Sequence, residues 1–289
     1  MINEGTALMV IRSSNWNRRV RDMIKSMEMR MSSAEDCCAG VIPFEQPLKT
    51  NPAAERRRSP DTACSSCSAH KQAVCSGFSD EEMEDFGRNV RTRIVKTGQS
   101  VYREFEEAKY FYTIVSGEIR LANLLDDGRR QVTAFKTVGD VIGEHKAGYY
   151  QSDAEAVCDT VVCQIPIKVM DKYLAENQAI RSVLTSKMQE ELHELRLHAI
   201  LLGRKTPVEK IATFFLGRAE NLISEGEDEV EITLTMGRSD IADFLGLTIE
   251  TVSRTITKLK NLGIIDVPST HSIVIKDVHQ LESLAEGEK

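Results

Sequence analysis

Three cysteines fall within twelve residues as Cys64-x2-Cys67-x7-Cys75, and two more, Cys158 and Cys163, lie far along the chain. Thiolate sulfur favours soft metals, so three close thiols and one distant one can supply the four ligands of an iron–sulfur cluster. The same residues permit other chemistry. A zinc ion could be held by Cys64, Cys67, His70 and Cys75, although the C-x2-C-x2-H-x4-C spacing matches no common zinc module. The thiols could also join reversibly as a sensor disulfide, or be incidental. The adjacent pair Cys37-Cys38 receives no role.

A second constellation lies near the C-terminus. Residues 238–264 read RSDIADFLGLTIETVSRTITKLKNLGI. Ile241, Phe244 and Leu245 form one apolar face, Gly246 permits a tight turn, Leu247 plugs it and Thr248 caps a second helix. With Val252, Ile256 and Leu259 facing inwards, the N-terminal end of that helix exposes Glu250, Thr251, Ser253 and Arg254. These side chains read base edges: Arg pairs with guanine O6/N7, Glu accepts from cytosine N4, and Ser or Thr approaches thymine. Lys258 and Lys260 follow as phosphate contacts, and residues 251–265 carry no acidic side chain. A solvated helical hairpin would need none of these types. Apolar runs at 264–267 and 273–275, with a turn at Pro268-Ser269-Thr270, predict a two-stranded wing.

Other elements must hold these two groups in place. Ser79 with Glu82 forms a capping box for a short helix over 78–92, with Met83, Phe86 and Val90 on one face. Strand-like runs at 110–115, 118–124, 131–135 and 161–165, with Gly117, Gly128 and Gly139 recurring every 11 residues, predict a jelly-roll barrel. After Pro166 the period becomes helical. Ile180, Leu184, Met188, Leu192, Leu195, Ala199 and Leu202 form a stripe that suits a coiled-coil dimer seam better than packing on the barrel. Gly203 is expected to break this helix and Thr206-Pro207 to open the next.

The stretch DIADFLGLTIETVSRTITKL resembles the helix-turn-helix of the CRP/FNR superfamily, and Glu250, Ser253 and Arg254 match the reading set of its oxygen-responsive FNR/FnrN/FixK branch. The resemblance covers residues 64–280, including YTIVSGEIRL, GRRQVTAF and GDVIGE. It implies an α+β fold: an N-terminal cupin-like jelly-roll β-barrel of the cyclic-nucleotide-binding type, a long dimerisation helix and a C-terminal winged helix-turn-helix. Arginine runs and four prolines mark residues 1–60 as a poorly ordered extension, and the chain then divides into the cysteines and sensory barrel (61–166), the dimer helix (167–203) and the DNA-binding domain (204–289). The VVCQIP segment is similar to the family's fourth-ligand strand. That implies Cys64, Cys67, Cys75 and Cys163 as ligands of an iron–sulfur cluster of the [4Fe–4S] type, and leaves Cys158 as a small buried hydrophobe. The implied site is a TTGAT-N4-ATCAA-like palindrome, with Arg254 on the G and Glu250 on its paired C. The implied partners are double-stranded DNA, RNA polymerase and a second copy of the chain. The expected role is control of anaerobic or microaerobic genes.

Composition narrows the alternatives. A net charge of -7 argues against a general nucleic-acid glue but leaves room for a specific reader with local basic character. Without an apolar run of the roughly 20 residues a membrane span needs, or a secretory signal, a cytoplasmic protein is expected. Seven cysteines there favour metal or redox chemistry over disulfides. No arginine follows GDVIGE before Arg181, which weakens a cyclic-nucleotide effector, because phosphate recognition wants a bidentate Arg or an N–H nest. A CRP-like regulator with another effector is the remaining alternative. An enzyme is disfavoured: there is no nucleophile elbow, P-loop or H-E-x-x-H.

Overall fold

Ser79 accepts from the Glu82 N–H and Glu82 Oε2 from the Ser79 N–H (2.9 Å), closing the capping box that starts α1, Asp80–Asn89. The computed structural model describes residues 64, 67–220, 222–223 and 229–287. The predicted extension (1–60) and Cys37-Cys38 lie outside them. Helix α1 is held by an aromatic trio, Phe78 on Phe86 and Tyr173 on both, with ring centroids 4.7–5.7 Å apart.

Ten strands follow: β1 Arg91–Val95, β2 Ser100–Tyr102, β3 Tyr110–Ser116, β4 Ile119–Leu124, β5 Arg130–Lys136, β6 Val141–Ile142, β7 His145–Lys146, β8 Tyr149–Tyr150, β9 Asp153–Ala156 and β10 Thr160–Pro166. They form two four-stranded sheets, β1-β10-β3-β6 and β2-β9-β4-β5, with β7 and β8 as a separate hairpin. The expected barrel is thus a β-roll of two facing antiparallel sheets that do not close on each other. Ile114, Ile119, Leu121, Ile142 and Val162 fill the space between the sheets with the stacked rings of Tyr102, Tyr112 and Tyr150.

Gly117, between β3 and β4, has φ +86°, and a Cβ there would lie 2.4 Å from Thr160 Oγ1 and 2.7 Å from the Asp159 carbonyl. Thr160 cannot swing away, because its hydroxyl bonds the Glu118 N–H (3.1 Å) and the Cys158 carbonyl (2.8 Å). Gly117→Ala is expected to lose about 2–4 kcal/mol, from the left-handed backbone plus the clash. Gly128→Ala, whose Cβ would meet nothing within 4 Å, should lose distinctly less. Urea midpoints of the two variants measure the difference.

Two helices leave the roll, α2 Ile167–Glu176 and α3 Gln178–Arg204, separated where Asn177 Oδ1 accepts from the Ala179 (2.8 Å) and Ile180 (3.1 Å) N–H groups. Contrary to expectation, α3 does not stop at Gly203; it runs to Arg204. One internal glycine costs only about 1 kcal/mol, whereas Pro207 cannot continue a helix and Thr206 with Glu209 caps the next one. Ile180 and Leu201 are buried at the two ends of α3, while Met188, Leu192 and Leu195 between them are 48–62% exposed.

The C-terminal part comprises α4 Pro207–Ala219, β11 Val230–Thr233, α5 Arg238–Leu245, α6 Ile249–Asn261, β12 Ile265–Ser269, β13 Ser272–Ile275 and α7 Val278–Glu286. Its wing is a three-stranded sheet, β11-β13-β12, instead of the two strands expected. Pro268 and Ser269 belong to β12, so the turn is the tighter Thr270-His271. Phe215, Ile241, Leu245, Val252, Ile256, Leu259 and Leu281 form the core of this part.

Candidate functional site

The first cysteines lie on successive three-residue turns: the Cys67 N–H donates to the Cys64 carbonyl and the His70 N–H to the Cys67 carbonyl, both at 3.3 Å. Ala69, Ala73 and Val74 are buried beneath the segment, and Ser68 donates to the Val115 carbonyl of β3 (3.4 Å). Gly139 makes the approach possible. A Cβ there would lie 2.5 Å from Gln72 Cβ, at a φ of +88°. Cys75 follows in a 3₁₀ turn, Val74–Gly77.

Cys163 comes from β10, where it pairs with Thr92 of β1 and Thr113 of β3. Directly opposed residues share a face of the sheet. Together Cys64, Cys67, Cys75 and Cys163 line one cavity with His70, Thr113, Phe86 and Ile165. Burial first, and like-charge repulsion from the neighbouring cysteines second, push the Cys75 and Cys163 thiols up to about 12. Cys64 is raised for the same two reasons. Two polar atoms at the cavity, His70 Nδ1 and Thr113 Oγ1, are buried without a partner. Cys158 is not among the lining residues, and it is half-buried where full burial was expected. Among the described residues no three His, Cys, Asp or Glu side chains are drawn close enough to hold a single ion.

In the helix-turn-helix, Gly246 ends α5 in the left-handed conformation (φ 60°) and Thr248 caps α6, accepting from the Thr251 N–H (3.2 Å). Val252, Ile256 and Leu259 are buried, while Glu250 and Arg254 are exposed and Thr251 and Ser253 partly so. Arg254 reaches Thr251 Oγ1 at 3.4 Å, and Arg238, which sequence reasoning passed over, donates to Ser253 Oγ at 3.3 Å. The Glu250 carboxyl is lowered by its own backbone N–H and by Thr248, so it is a ready acceptor near neutral pH. Lys258 is exposed, but Lys260 pairs with Asp266 of β12 at 2.9 Å and is less available to phosphate than expected.

A Crp-like helix-turn-helix domain matches residues 209–284 and a cyclic nucleotide-binding domain matches residues 92–177. The nitrogen fixation regulation protein FixK of Bradyrhizobium diazoefficiens is 36% identical over 223 residues, 77% of this chain and 93% of that protein. The chain belongs to the CRP/FNR family of transcription regulators. Within the family it falls in the FixK/FNR branch. The fumarate and nitrate reduction regulatory protein of Salmonella typhimurium is 28% identical over 225 residues, covering 77% of this chain and 90% of that one. The solved structure of FixK2 from Bradyrhizobium japonicum superposes with a TM-score of 0.62 at 35% identity, over 68% of this chain and 96% of that one.

This CRP/FNR regulator also ties its reading domain to the roll by charges that no local pattern announces. Arg120 of β4 and Arg130 of β5 both reach Asp240 of α5, at 2.8 and 2.6 Å, and Arg130 Nε reaches Asp243 at 2.8 Å. Arg218 of α4 pairs with the buried Glu118 at 2.6 Å. His198 of α3 lies 2.8 Å from the Phe244 carbonyl and stacks on that ring at 4.2 Å. The first helix of the reading motif is thereby held from two sides, and α6 projects from it.

Proposed function

We propose that the chain is a dimeric, oxygen-responsive regulator that carries a [4Fe–4S] cluster on Cys64, Cys67, Cys75 and Cys163 and reads a TTGAT-N4-ATCAA-like palindrome. The observation that carries the cofactor reading is the convergence of these four thiols, from two distant parts of the chain, on one cavity containing two unpartnered buried polar atoms. The donor set fits. A tetrahedral zinc site with ~2.3 Å bonds draws its sulfurs to about 3.8 Å of one another, and among the described residues no three His, Cys, Asp or Glu side chains are grouped to hold a single ion. Raised thiols are poor nucleophiles, which disfavours a sensor disulfide, whereas iron would bind them as thiolates. When bound, such a cluster supplies reactivity towards dioxygen. The cysteines would tie the segment at 64–75 to β10, beside Leu184 of α3, which packs in the same apolar cluster as Cys64, Cys75 and Cys163. Anaerobic purification followed by iron, sulfide and visible-absorption analysis tests the reading. A metal-free chain, or one with zinc alone, overturns it in favour of a relative with another effector.

The DNA half rests on Glu250, Thr251, Ser253 and Arg254 at one helix end, with Lys258 beside them on α6. A cytoplasmic location and contact with RNA polymerase go with this role. Arg254→Ala should cost about 1–3 kcal/mol on the cognate site and relax discrimination at the guanine. Binding titrations against single-base variants of the site check this, and full discrimination in the variant would remove Arg254 from the reading set.

A further inference from the structure

The cavity holds more than four thiols. Thr113 is 3% exposed and its Oγ1 has no partner. It lies directly across the β3–β10 ladder from Cys163, on the same face. His70, whose N–H donates to the Cys67 carbonyl, lines the same cavity, and its Nδ1 is likewise buried and unpartnered. Buried hydroxyl and imidazole groups nearly always find a hydrogen-bond partner. Apart from each other and Thr92, the other side chains around this cavity are apolar or thiols: Ala73, Met83, Phe86, Val115, Ile165 and the four cysteines.

We propose that Thr113 and His70 donate hydrogen bonds to the sulfurs of the group bound by the four cysteines, and thereby set how readily that group accepts an electron. This rests on the iron–sulfur reading above. Each added electron increases the negative charge on the sulfurs, so a donor aimed at them favours the reduced state. The low dielectric of the pocket strengthens the effect. A threonine hydroxyl is a donor to sulfur and a poor ligand to iron, and Thr113 faces Cys163 from within the sheet, where its backbone cannot move aside. His70 can play the same part when its proton is on Nδ1.

The test uses the full chain purified without oxygen, titrated with dithionite through mediator dyes and followed by absorbance. Thr113→Val and His70→Leu should keep the iron and sulfide content of the wild type. Each should lower the reduction equilibrium about tenfold, ~59 mV for a one-electron couple, with a larger shift in the double variant. Thr113→Ser retains the hydroxyl and should titrate with the wild type. Unchanged potentials at full iron content would overturn the inference and leave the cluster reading intact. Loss of iron from His70→Leu would make His70 a ligand and remove it from the proposal. A wild-type chain without iron overturns both readings.

Discussion

Cys163→Ser is expected to abolish iron and sulfide incorporation, while Cys158→Ser retains both. The two residues are five apart in sequence, yet only Cys163 lines the cavity with Cys64, Cys67 and Cys75. Serine is nearly isosteric but supplies a hard oxygen that ionises far less readily than sulfur, so one of four ligand bonds is lost outright. Structural metal sites bind with roughly 10–16 kcal/mol, and losing a ligand removes several of these. The fold should survive, because the other neighbours of Cys163 in the ladder, Thr92 and Thr113, bond through their backbones. Iron analysis beside far-UV circular dichroism separates loss of the group from loss of the protein. If Cys158→Ser alone loses iron, the fourth ligand is misassigned.

Leu195→Glu should separate a dimer into monomers and lower DNA affinity by at least about 100-fold. Met188, Leu192 and Leu195 lie on α3 with 48–62% of their surface open in the single chain. Three- and four-residue steps put them on one stripe, the geometry of a two-stranded seam. Burying a leucine contributes about 1.5–3 kcal/mol, and a two-fold axis counts each position twice, so the lost contact alone is worth ~3 kcal/mol or more, a factor of about 10² in dissociation constant. Two opposed carboxylates add repulsion. Only a dimer sets two α6 helices about 34 Å apart on a palindrome. Because the side chain is exposed within one chain, the substitution should leave the helical signal unchanged. Sedimentation equilibrium decides the matter: a Leu195→Glu protein that remains dimeric removes this stripe from the interface.

Much of the molecule follows from short stretches of sequence. The helix-turn-helix was legible because Gly246, Thr248, Val252, Ile256 and Leu259 lie within fourteen residues and each acts locally, as turn, cap or core face. The capping box at Ser79 could be read for the same reason, because partners three residues apart meet in any helix start, and so could the helix start at Thr206-Pro207. Four strands of the roll, β3, β4, β5 and β10, were legible as strand-like runs between turn glycines. Whether the two sheets close was not, because closure depends on stagger among strands distant in sequence. The end of α3 was misplaced at Gly203 because the local penalty of one glycine is small beside the packing of Leu201 and the block at Pro207.

What only the tertiary structure decided is what meets across long separations. The spacing of Cys64, Cys67 and Cys75 announced metal or thiol chemistry, but β10 brings Cys163 to them through its register with β1 and β3, and Gly139 admits Gln72 against the roll. The choice of Cys163 over Cys158 required that register or a family resemblance, because residue type and approximate position are the same for both. No local pattern marks Asp240 and Asp243 as paired, yet Arg120 and Arg130, 120 and 110 residues from Asp240, claim them. Lys260 lost its expected freedom to Asp266 in the same way. Composition and periodicity report which groups a segment can present. Hydrogen-bond register and charge pairing between remote segments select the partners, because those energies exist only once the chain has closed its loops.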